Sequence, residues 1–223
     1  MQNISALVTG ANRGIGRQLA GQLSAQGNVI GTTRHPAPAD DSAITWHQLE
    51  ATDPASIAAL ADALKGQPIE RLVCNAGIYP DKGESLSTGY PPEMWAEGFA
   101  VNVTGAFLTL QALLPNLRAA HNPRIALISS QMASDTDATG GSYIYRASKA
   151  ALLNLGRNLA TDLKSDGIAV GIYHPGWVQT DMGGASAAIT PQTAAEGLVK
   201  RIEALSLTTT GCFETWDGTA HAF

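Results

Sequence analysis

A tyrosine and a lysine stand four residues apart in the segment Tyr145-Arg-Ala-Ser-Lys149. In a helix this spacing brings both side chains to one face. An ammonium beside a phenol favours the phenolate, so we expect the pKa of Tyr145 to fall below its reference value of about 10. The pair predicts a general acid/base for chemistry between carbonyls and alcohols. Chance spacing is the alternative, and Tyr143 is interpreted as structural or facing a substrate.

Two other polar residues are candidates for the same chemistry. Ser130 follows a predicted strand at Arg124–Ser129, where its hydroxyl could hydrogen-bond a substrate carbonyl. A serine that merely ends the strand fits the same position. Asn102 lies inside a predicted helix, where asparagine is unfavourable and, if buried, needs polar partners. It either holds a kink and a water or is a solvated helix residue.

A glycine-rich loop, Thr9-Gly10-Ala-Asn-Arg-Gly14-Ile-Gly16, lies between the first predicted strand and the first predicted helix. Gly10 allows a tight turn, Gly14 lets the backbone approach a pyrophosphate, and Gly16 lets the helix pack closely on the strand. The N–H groups that begin the helix then face the phosphates. An ordinary strand-to-helix turn is the alternative, but the position after an N-terminal strand favours dinucleotide binding.

The end of the second predicted strand indicates which dinucleotide binds. An acidic residue there accepts from the ribose 2′-hydroxyl of NAD, whereas an arginine pairs with the 2′-phosphate of NADP. The chain has Thr33-Arg34 and no acid, and Arg13 in the glycine loop is a second cation. The two arginines favour NADP(H), although solvated surface arginines are the alternative.

The elements that position these residues alternate along the chain. Strands alternating with amphipathic helices indicate βαβ units and a parallel sheet. The longest predicted helix follows Pro92 and runs through Asn102 to Leu114. The strands are predicted at Ile4–Val8, Asn28–Thr33, Ile44–Leu49, Ile69–Cys74, Arg124–Ser129, Ile168–Tyr173 and Cys212–Thr215, and the other helices at Gly14–Gln26, from Asp53-Pro54 onward, at Tyr145–Leu163 and at Pro191–Leu205.

The composition narrows the functional class. The chain has 223 residues, 44% of them hydrophobic, which is enough for the core of one domain spanning residues 1–223. A net charge of −5 argues against nucleic-acid binding. Cys74 and Cys212 form neither a disulfide framework nor a metal motif, so we expect no metal and a cytoplasmic setting. Without a leader or a membrane-spanning run, we expect no membrane partner.

Further motifs occur in a characteristic order over essentially the whole chain. They are Gly10-x3-Gly14-x-Gly16, Asn75-Ala76-Gly77, Asn102, Ser130, Tyr145-x3-Lys149 and Pro175-Gly176. Together they resemble the short-chain dehydrogenase/reductase family. The segments Tyr143–Lys149, His174–Gly184 and Phe213–Gly218 are similar to its C-factor/sniffer-like carbonyl reductase branch. The resemblance implies a doubly wound (Rossmann) α/β fold with strand order 3-2-1-4-5-6-7.

The resemblance also implies roles for individual residues. Tyr145 would be the acid/base, Lys149 would lower its pKa and bind the nicotinamide ribose, Ser130 would orient the substrate carbonyl, and Asn102 would hold a proton-relay water. The family often has Asp-Val where this chain has Glu50-Ala51. The cofactor-binding set is Gly10, Asn12, Arg13, Gly14, Ile15, Gly16, Thr33, Arg34, Glu50, Ala51, Asn75, Ala76, Gly77, Tyr145, Lys149, Pro175, Val178 and Thr180.

The sequence therefore predicts an NADPH-dependent oxidoreductase that interconverts a small ketone or aldehyde and an alcohol. The step of 15 residues from Ser130 to Tyr145 leaves Ser129 and Ser134 as alternative catalytic serines. A cofactor-binding signalling or regulatory protein with little turnover is the alternative function, and an NAD-dependent alcohol dehydrogenase is a third. The substrate stays open, and the apolar helix faces fit either a homo-oligomer interface or internal core.

Overall fold

The computed structural model describes residues 4–36, 38, 42–87 and 89–223. Seven strands form one sheet in the order β3-β2-β1-β4-β5-β6-β7, and each neighbouring pair is parallel. The predicted fold class and strand order are confirmed. The first three residues, on which the expectation of no leader partly depends, lie outside the described residues. The strands are β1 (Ile4–Val8), β2 (Gly27–Thr33), β3 (Ile44–Gln48), β4 (Arg71–Cys74), β5 (Arg124–Ile128), β6 (Ala169–His174) and β7 (Phe213–Thr215).

The helices connect these strands. Helix α2 begins as predicted, because Asp53 accepts the Ala55 N–H at 2.9 Å and a proline occupies the first helical position. The bounds are α1 (Gly14–Ser24), α2 (Pro54–Ala63), α3 (Pro92–Phe99), α4 (Ala106–Ala112), α5 (Leu114–Arg118), α6 (Tyr143–Asp162) and α7 (Pro191–Ala204), with 3₁₀ turns at Gln131–Ala133, Asp135–Asp137 and Leu163–Asp166.

The long helix predicted after Pro92 is not continuous. A π-helical turn, Ala100–Gly105, separates α3 from α4 and carries Asn102. Gly105 lets this turn approach the chain after β3, since an added Cβ would lie only 2.7 Å from the Ala51 carbonyl oxygen. Such turns inside helices are frequent at functional sites. The predicted long helix is therefore interrupted at Asn102, where a kink is one of the two sequence-based alternatives, and the other alternative, a solvated residue, is wrong because Asn102 is buried.

Several other boundaries differ from the sequence-based expectation, and two elements begin two residues away from their predicted start. Helix α6 begins at Tyr143, two residues before the predicted start, so the first of the two tyrosines is also helical. Strand β4 begins at Arg71 and not at Ile69. The Ile69 N–H donates to the Asn116 carbonyl at 3.1 Å, which takes it out of the sheet ladder.

Two apolar layers cover the two faces of the sheet. Successive strand residues point to opposite faces, so Leu72 belongs to one layer and Val73 to the other. The first layer includes buried side chains of α2, α4 and α6, and the second includes those of α1 and α7. Burial on both faces explains the near-continuous apolar runs of the central strands.

Because the strands are parallel, their carboxyl ends meet at one edge of the sheet. The predicted site residues follow the ends of six strands there: the glycine loop after β1, Arg34 after β2, Glu50 after β3, Asn75–Gly77 after β4, Ser130 after β5 and Pro175 after β6. In open parallel sheets ligands bind outside this edge. The fold thus brings together residues that are far apart in the chain.

Candidate active site

Tyr145 and Lys149 lie one turn apart near the start of α6, and both are buried. The Lys149 Nζ is 5.7 Å from the centroid of the Tyr145 ring. The same ammonium donates to the Ile128 carbonyl at the end of β5, at 2.9 Å. The predicted pair therefore exists, with the lysine anchored to the sheet beside the tyrosine ring.

The expectation that the pKa of Tyr145 is lowered is wrong, because the protein groups around the phenol together raise it. Burial raises the pKa of Tyr145 to about 12, and the nearby Tyr79 phenol adds to the rise. A hydrogen bond with Ser130 opposes it. Burial also lowers the pKa of Lys149 to about 8. Desolvation disfavours the charged form of each group, and it is the largest cause of both shifts.

The three candidate serines have different partners. The Ser130 hydroxyl lies near enough to the Tyr145 phenol to lower its pKa, and it accepts the Met132 N–H at 3.1 Å. The Ser129 hydroxyl donates to the Lys149 carbonyl at 3.0 Å, so it connects the end of β5 to the backbone of α6. The Ser134 hydroxyl is paired with Thr136 at 2.7 Å. Of the three, Ser130 is the one that affects the pKa of the phenol.

Asn102 is buried, and both the oxygen and the nitrogen of its side-chain amide are hydrogen-bonded to other protein groups. Its Oδ1 accepts the Ile78 N–H at 2.8 Å, while its Nδ2 donates to the Ile78 carbonyl at 2.9 Å and to the Ser148 hydroxyl at 3.0 Å. Ser148 donates in turn to the Tyr145 carbonyl at 2.8 Å. Asn102 thus ties the π-helical turn to the loop after β4 and to the helix that carries Tyr145.

The glycine loop has the backbone geometry expected of its spacing. Gly10 and Gly14 have φ values of +63° and +54°, a region that favours glycine. A Cβ at Gly16 would lie 2.3 Å from the Gly10 carbonyl oxygen, so only glycine fits where α1 meets β1. Asn12 is half-buried in the same loop, and Ile15 packs against the apolar layer of α1 and α7.

The two cations predicted to read a 2′-phosphate have acidic neighbours. Arg34 is half exposed, and its guanidinium is 4.0 Å from the Glu50 carboxylate. Arg13 pairs with Asp181 at 2.7 Å, with both side chains exposed. Thr33 is buried and accepts a backbone N–H from His35 at 3.1 Å. Arg34 and Glu50 are thus neighbours at the ends of β2 and β3.

The Asn75-Ala76-Gly77 segment joins the glycine loop to the catalytic candidates. The Asn75 Nδ2 donates to the Thr9 and Gly10 carbonyls at 3.0 and 3.2 Å. A Cβ at Gly77 would lie 3.2 Å from the Asn102 Oδ1 and 3.4 Å from the Lys149 Nζ. A small pocket beside this segment is lined by Thr9, Ala51, Ala76, Val101, Gly105, Ala106 and Thr109.

The segment after β6 lies against the glycine loop. A Cβ on Gly14 would contact the Thr180 methyl group at 3.3 Å. Val178 is buried and pairs with Ile189 in an isolated β-bridge. Pro175 is half-buried at the start of the segment. Of these three predicted residues, Thr180 therefore lies directly against the glycine loop.

Sequence reasoning did not predict the contacts that three residues make with the site. Tyr79 stacks on Tyr145, Asp81 contacts the backbone of Tyr145, and Asp181 pairs with Arg13. Their partners lie between 64 and 168 residues away, so no local spacing could have revealed the two aspartates. Tyr79 had one local indication, since it follows the Asn75–Gly77 motif by two residues.

Other kinds of site find little support in the part of the chain that the structure describes. That part has no group of three or more His, Cys, Asp or Glu side chains suited to a metal ion. It also has no helix with the length and apolar character needed to cross a bilayer.

Comparison with known proteins identifies the family. A family model described as short chain dehydrogenase matches residues 5–189. The C-signal protein of Myxococcus xanthus is 36% identical over 155 residues, which cover 68% of this chain and 91% of that protein. The NADPH-bound carbonyl reductase from chicken fatty liver is 32% identical with a TM-score of 0.89, and the carbonyl reductase Sniffer of D. melanogaster is 29% identical with a TM-score of 0.92. Both structural matches cover 100% of each chain.

The chain therefore belongs to the short-chain dehydrogenase/reductase family. The prediction of an NAD(P)-dependent oxidoreductase of this family is confirmed, and so is its resemblance to the carbonyl reductase branch.

Proposed function

We propose that this protein is an NADPH-dependent carbonyl reductase in which Tyr145 is the acid/base. The observation that carries the proposal is the buried Tyr145 phenol, with the Lys149 ammonium beside its ring and the Ser130 hydroxyl near enough to lower its pKa. A pKa of about 12 keeps this phenol protonated at neutral pH. The group can therefore donate a proton to a carbonyl oxygen as the oxygen gains charge, which is the direction of carbonyl reduction.

The neighbouring residues have separate tasks in this proposal. Ser130 orients the substrate carbonyl through its hydroxyl, and Lys149 holds the ribose side of the cofactor and stabilises the phenolate left after proton transfer. Asn102, through Ser148 and Ile78, holds α6 against the loop after β4 and supports a proton-relay water. Reprotonation of Tyr145 then returns the site to its starting state.

The cofactor-binding residues fit a dinucleotide. Gly14 leaves room for a pyrophosphate at the start of α1, since a side chain there would enter the space before Thr180, while Gly10 and Gly16 let the loop turn and α1 pack on β1. Arg34, supported by Arg13, binds the 2′-phosphate, with Thr33 completing the turn. Glu50, Ala51, Asn75 and Ala76 would contact the adenosine half of the cofactor, and Pro175, Val178 and Thr180 would contact the nicotinamide half. When bound, the nicotinamide supplies or accepts the hydride.

The NADPH-bound structure of the chicken carbonyl reductase supports the choice of NADP(H) over NAD(H), as does Arg34 at the end of β2. The signalling alternative shares this fold with the enzyme but has no observation that favours it over catalysis, and fold does not decide function. A small-molecule carbonyl is the proposed partner. A cytoplasmic location, a homo-oligomer and the absence of a nucleic-acid partner stay predictions.

The test is the consumption of NADPH, followed by absorbance, with a panel of aliphatic and aromatic ketones and aldehydes. We expect turnover of at least one carbonyl, and a loss of about 10²–10⁴-fold in Tyr145→Phe, which keeps the ring and removes the proton. NADPH affinity, measured by fluorescence titration, should stay near wild type. Tyr143→Phe is the matched control and should keep most activity. Wild-type turnover in Tyr145→Phe would contradict the assignment.

A further inference from the structure

The residue that precedes helix α6 does not cap the helix with its side chain. Ser142, the residue before the helix, has φ +50° and makes no side-chain capping bond. Its hydroxyl is instead hydrogen-bonded to the Tyr79 phenol. The first N–H groups of a helix have no partner within the helix, and they need one where the helix end is buried. Ile144 and Tyr145 are both buried, so another part of the chain must satisfy them.

Asp81 supplies the missing acceptors. One carboxylate oxygen accepts the Ile144 N–H at 2.8 Å, and the other accepts the Tyr145 N–H at 3.1 Å. The Asp81 side chain has no exposed surface, and it comes from 64 residues before Tyr145. Burying a carboxylate is costly unless its oxygens are hydrogen-bonded, and the positive end of the helix dipole offsets part of that cost.

The two neighbouring elements reinforce the same contact. Tyr79, two residues before Asp81, stacks on the Tyr145 ring with centroids 4.1 Å apart. On another side, Gly98 of α3 lies so close that an added Cβ would be 2.6 Å from the Ile144 Cγ2. The first turn of α6 is therefore held at its backbone by Asp81, at its ring by Tyr79 and at its apolar side by α3.

We propose that Asp81 is a positioning residue for Tyr145, and this inference rests on the proposed function. A local serine or threonine could cap α6 without burying a charge. The carboxylate instead fixes the backbone of the very residue whose phenol transfers the proton. Because an error of about 1 Å in a reacting group can cost about 100-fold in rate, a tertiary cap at this residue controls turnover as well as stability.

The experiment compares Asp81→Ala and Asp81→Asn with a matched control, Asp53→Ala. Asp53 is also an aspartate cap, on α2, and accepts the Ala55 N–H at 2.9 Å. For each variant we would measure the melting temperature, NADPH affinity by fluorescence, kcat and KM for the best carbonyl of the panel, and amide hydrogen exchange. These readouts separate a loss of stability from a loss of alignment.

Both alanine variants should melt earlier than wild type. We expect kcat to fall about 10- to 100-fold in Asp81→Ala but to stay near wild type in Asp53→Ala, with NADPH affinity kept in both. The Ile144 and Tyr145 amides should exchange faster in Asp81→Ala. Asp81→Asn keeps one acceptor oxygen, so its kcat should lie between those of wild type and Asp81→Ala.

A kcat of Asp81→Ala equal to that of Asp53→Ala would overturn the positioning role. If Asp81→Ala does not fold, Asp81→Asn decides: a severalfold loss of kcat with normal NADPH affinity supports the role, and a wild-type kcat rejects it. Tyr145→Phe separates the two proposals. If Tyr145→Phe stays active, the proposed function fails; if Tyr145→Phe is inactive while Asp81→Ala keeps wild-type kcat, only the positioning role fails.

Discussion

The ring of Tyr79 stacks on the ring of Tyr145, with centroids 4.1 Å apart and an angle of 17° between their planes. One face of the phenol that we assign as the proton donor is thus covered by the protein. Tyr79 also contributes to the raised pKa of Tyr145, through electrostatic repulsion between the two phenols. A substrate cannot approach the phenol through the face that Tyr79 covers.

Which serine acts on the carbonyl can be tested by substitution. We expect Ser130→Ala to lower kcat about 10²–10³-fold, the usual effect of removing one hydrogen-bond donor from a developing oxyanion. Ser134→Ala, whose hydroxyl pairs with Thr136, should stay near wild type. Steady-state kinetics with NADPH and one carbonyl would measure both. The reverse ranking would transfer the role to Ser134.

The cofactor preference depends on Arg34. Only NADPH has a 2′-phosphate, and a hydrogen bond to a charged group contributes about 1.5–3 kcal/mol, so Arg34→Ala should weaken NADPH about 10- to 100-fold. NADH binding should barely change. Arg118→Ala is the matched control, since Arg118 is similarly exposed and pairs with Asp166. Equal weakening of both cofactors in a fluorescence titration would reject the role of Arg34.

The glycine loop is testable at Gly14. Its φ of +54° disfavours a β-branched residue, and a side chain there would occupy the space before Thr180. We expect Gly14→Val to abolish NADPH binding while helical circular dichroism stays largely intact. Gly21→Ala, on the exposed side of α1 with no atom near its added Cβ, is the control. It should bind NADPH normally and gain about 0.5–1 kcal/mol of stability.

The buried Lys149 side chain should lower the free energy of unfolding at neutral pH. The pKa of Lys149 is about 8 in the folded protein, whereas its ordinary value, which applies to the unfolded chain, is 10.5. Between pH 8 and pH 10.5 the unfolded chain therefore binds more protons than the folded protein, and the free energy of unfolding rises with pH. Lys149→Met should therefore raise the free energy of unfolding at pH 7 by up to about 3 kcal/mol, less the lost hydrogen bond to Ile128. That gain should shrink between pH 8 and pH 10.5.

Urea denaturation at pH 7 and pH 10.5 would measure this effect. Lys200→Met, at an exposed position on α7, should show no such dependence on pH. A destabilised Lys149→Met at pH 7 would mean that the ammonium's contacts outweigh the cost of its burial. The same variant should lose turnover, because the phenolate would have no neighbouring cation.

Local patterns determined the alternation of strands and helices and, through resemblance to a family, the strand order. A buried parallel strand such as Leu72–Val73 must be apolar on both faces, so the sequence predicts it. A proline after an aspartate marks the start of α2, which the sequence therefore also predicts. The sequence also predicts the glycine loop, because Gly16 lies so close to the Gly10 carbonyl that no side chain fits there. These features depend on each residue's immediate neighbours.

Only the tertiary structure decided the electrostatics and the support of the site. The spacing of Tyr145 and Lys149 predicted a lowered pKa for the phenol, but burial, which is a property of the whole fold, raises it to about 12. The π-helical turn at Asn102 likewise results from contacts with Ile78 and Ser148. Asp81 had no pattern to reveal it, because its partners lie in a different element. Desolvation and hydrogen bonds between distant segments exist only once the chain has folded.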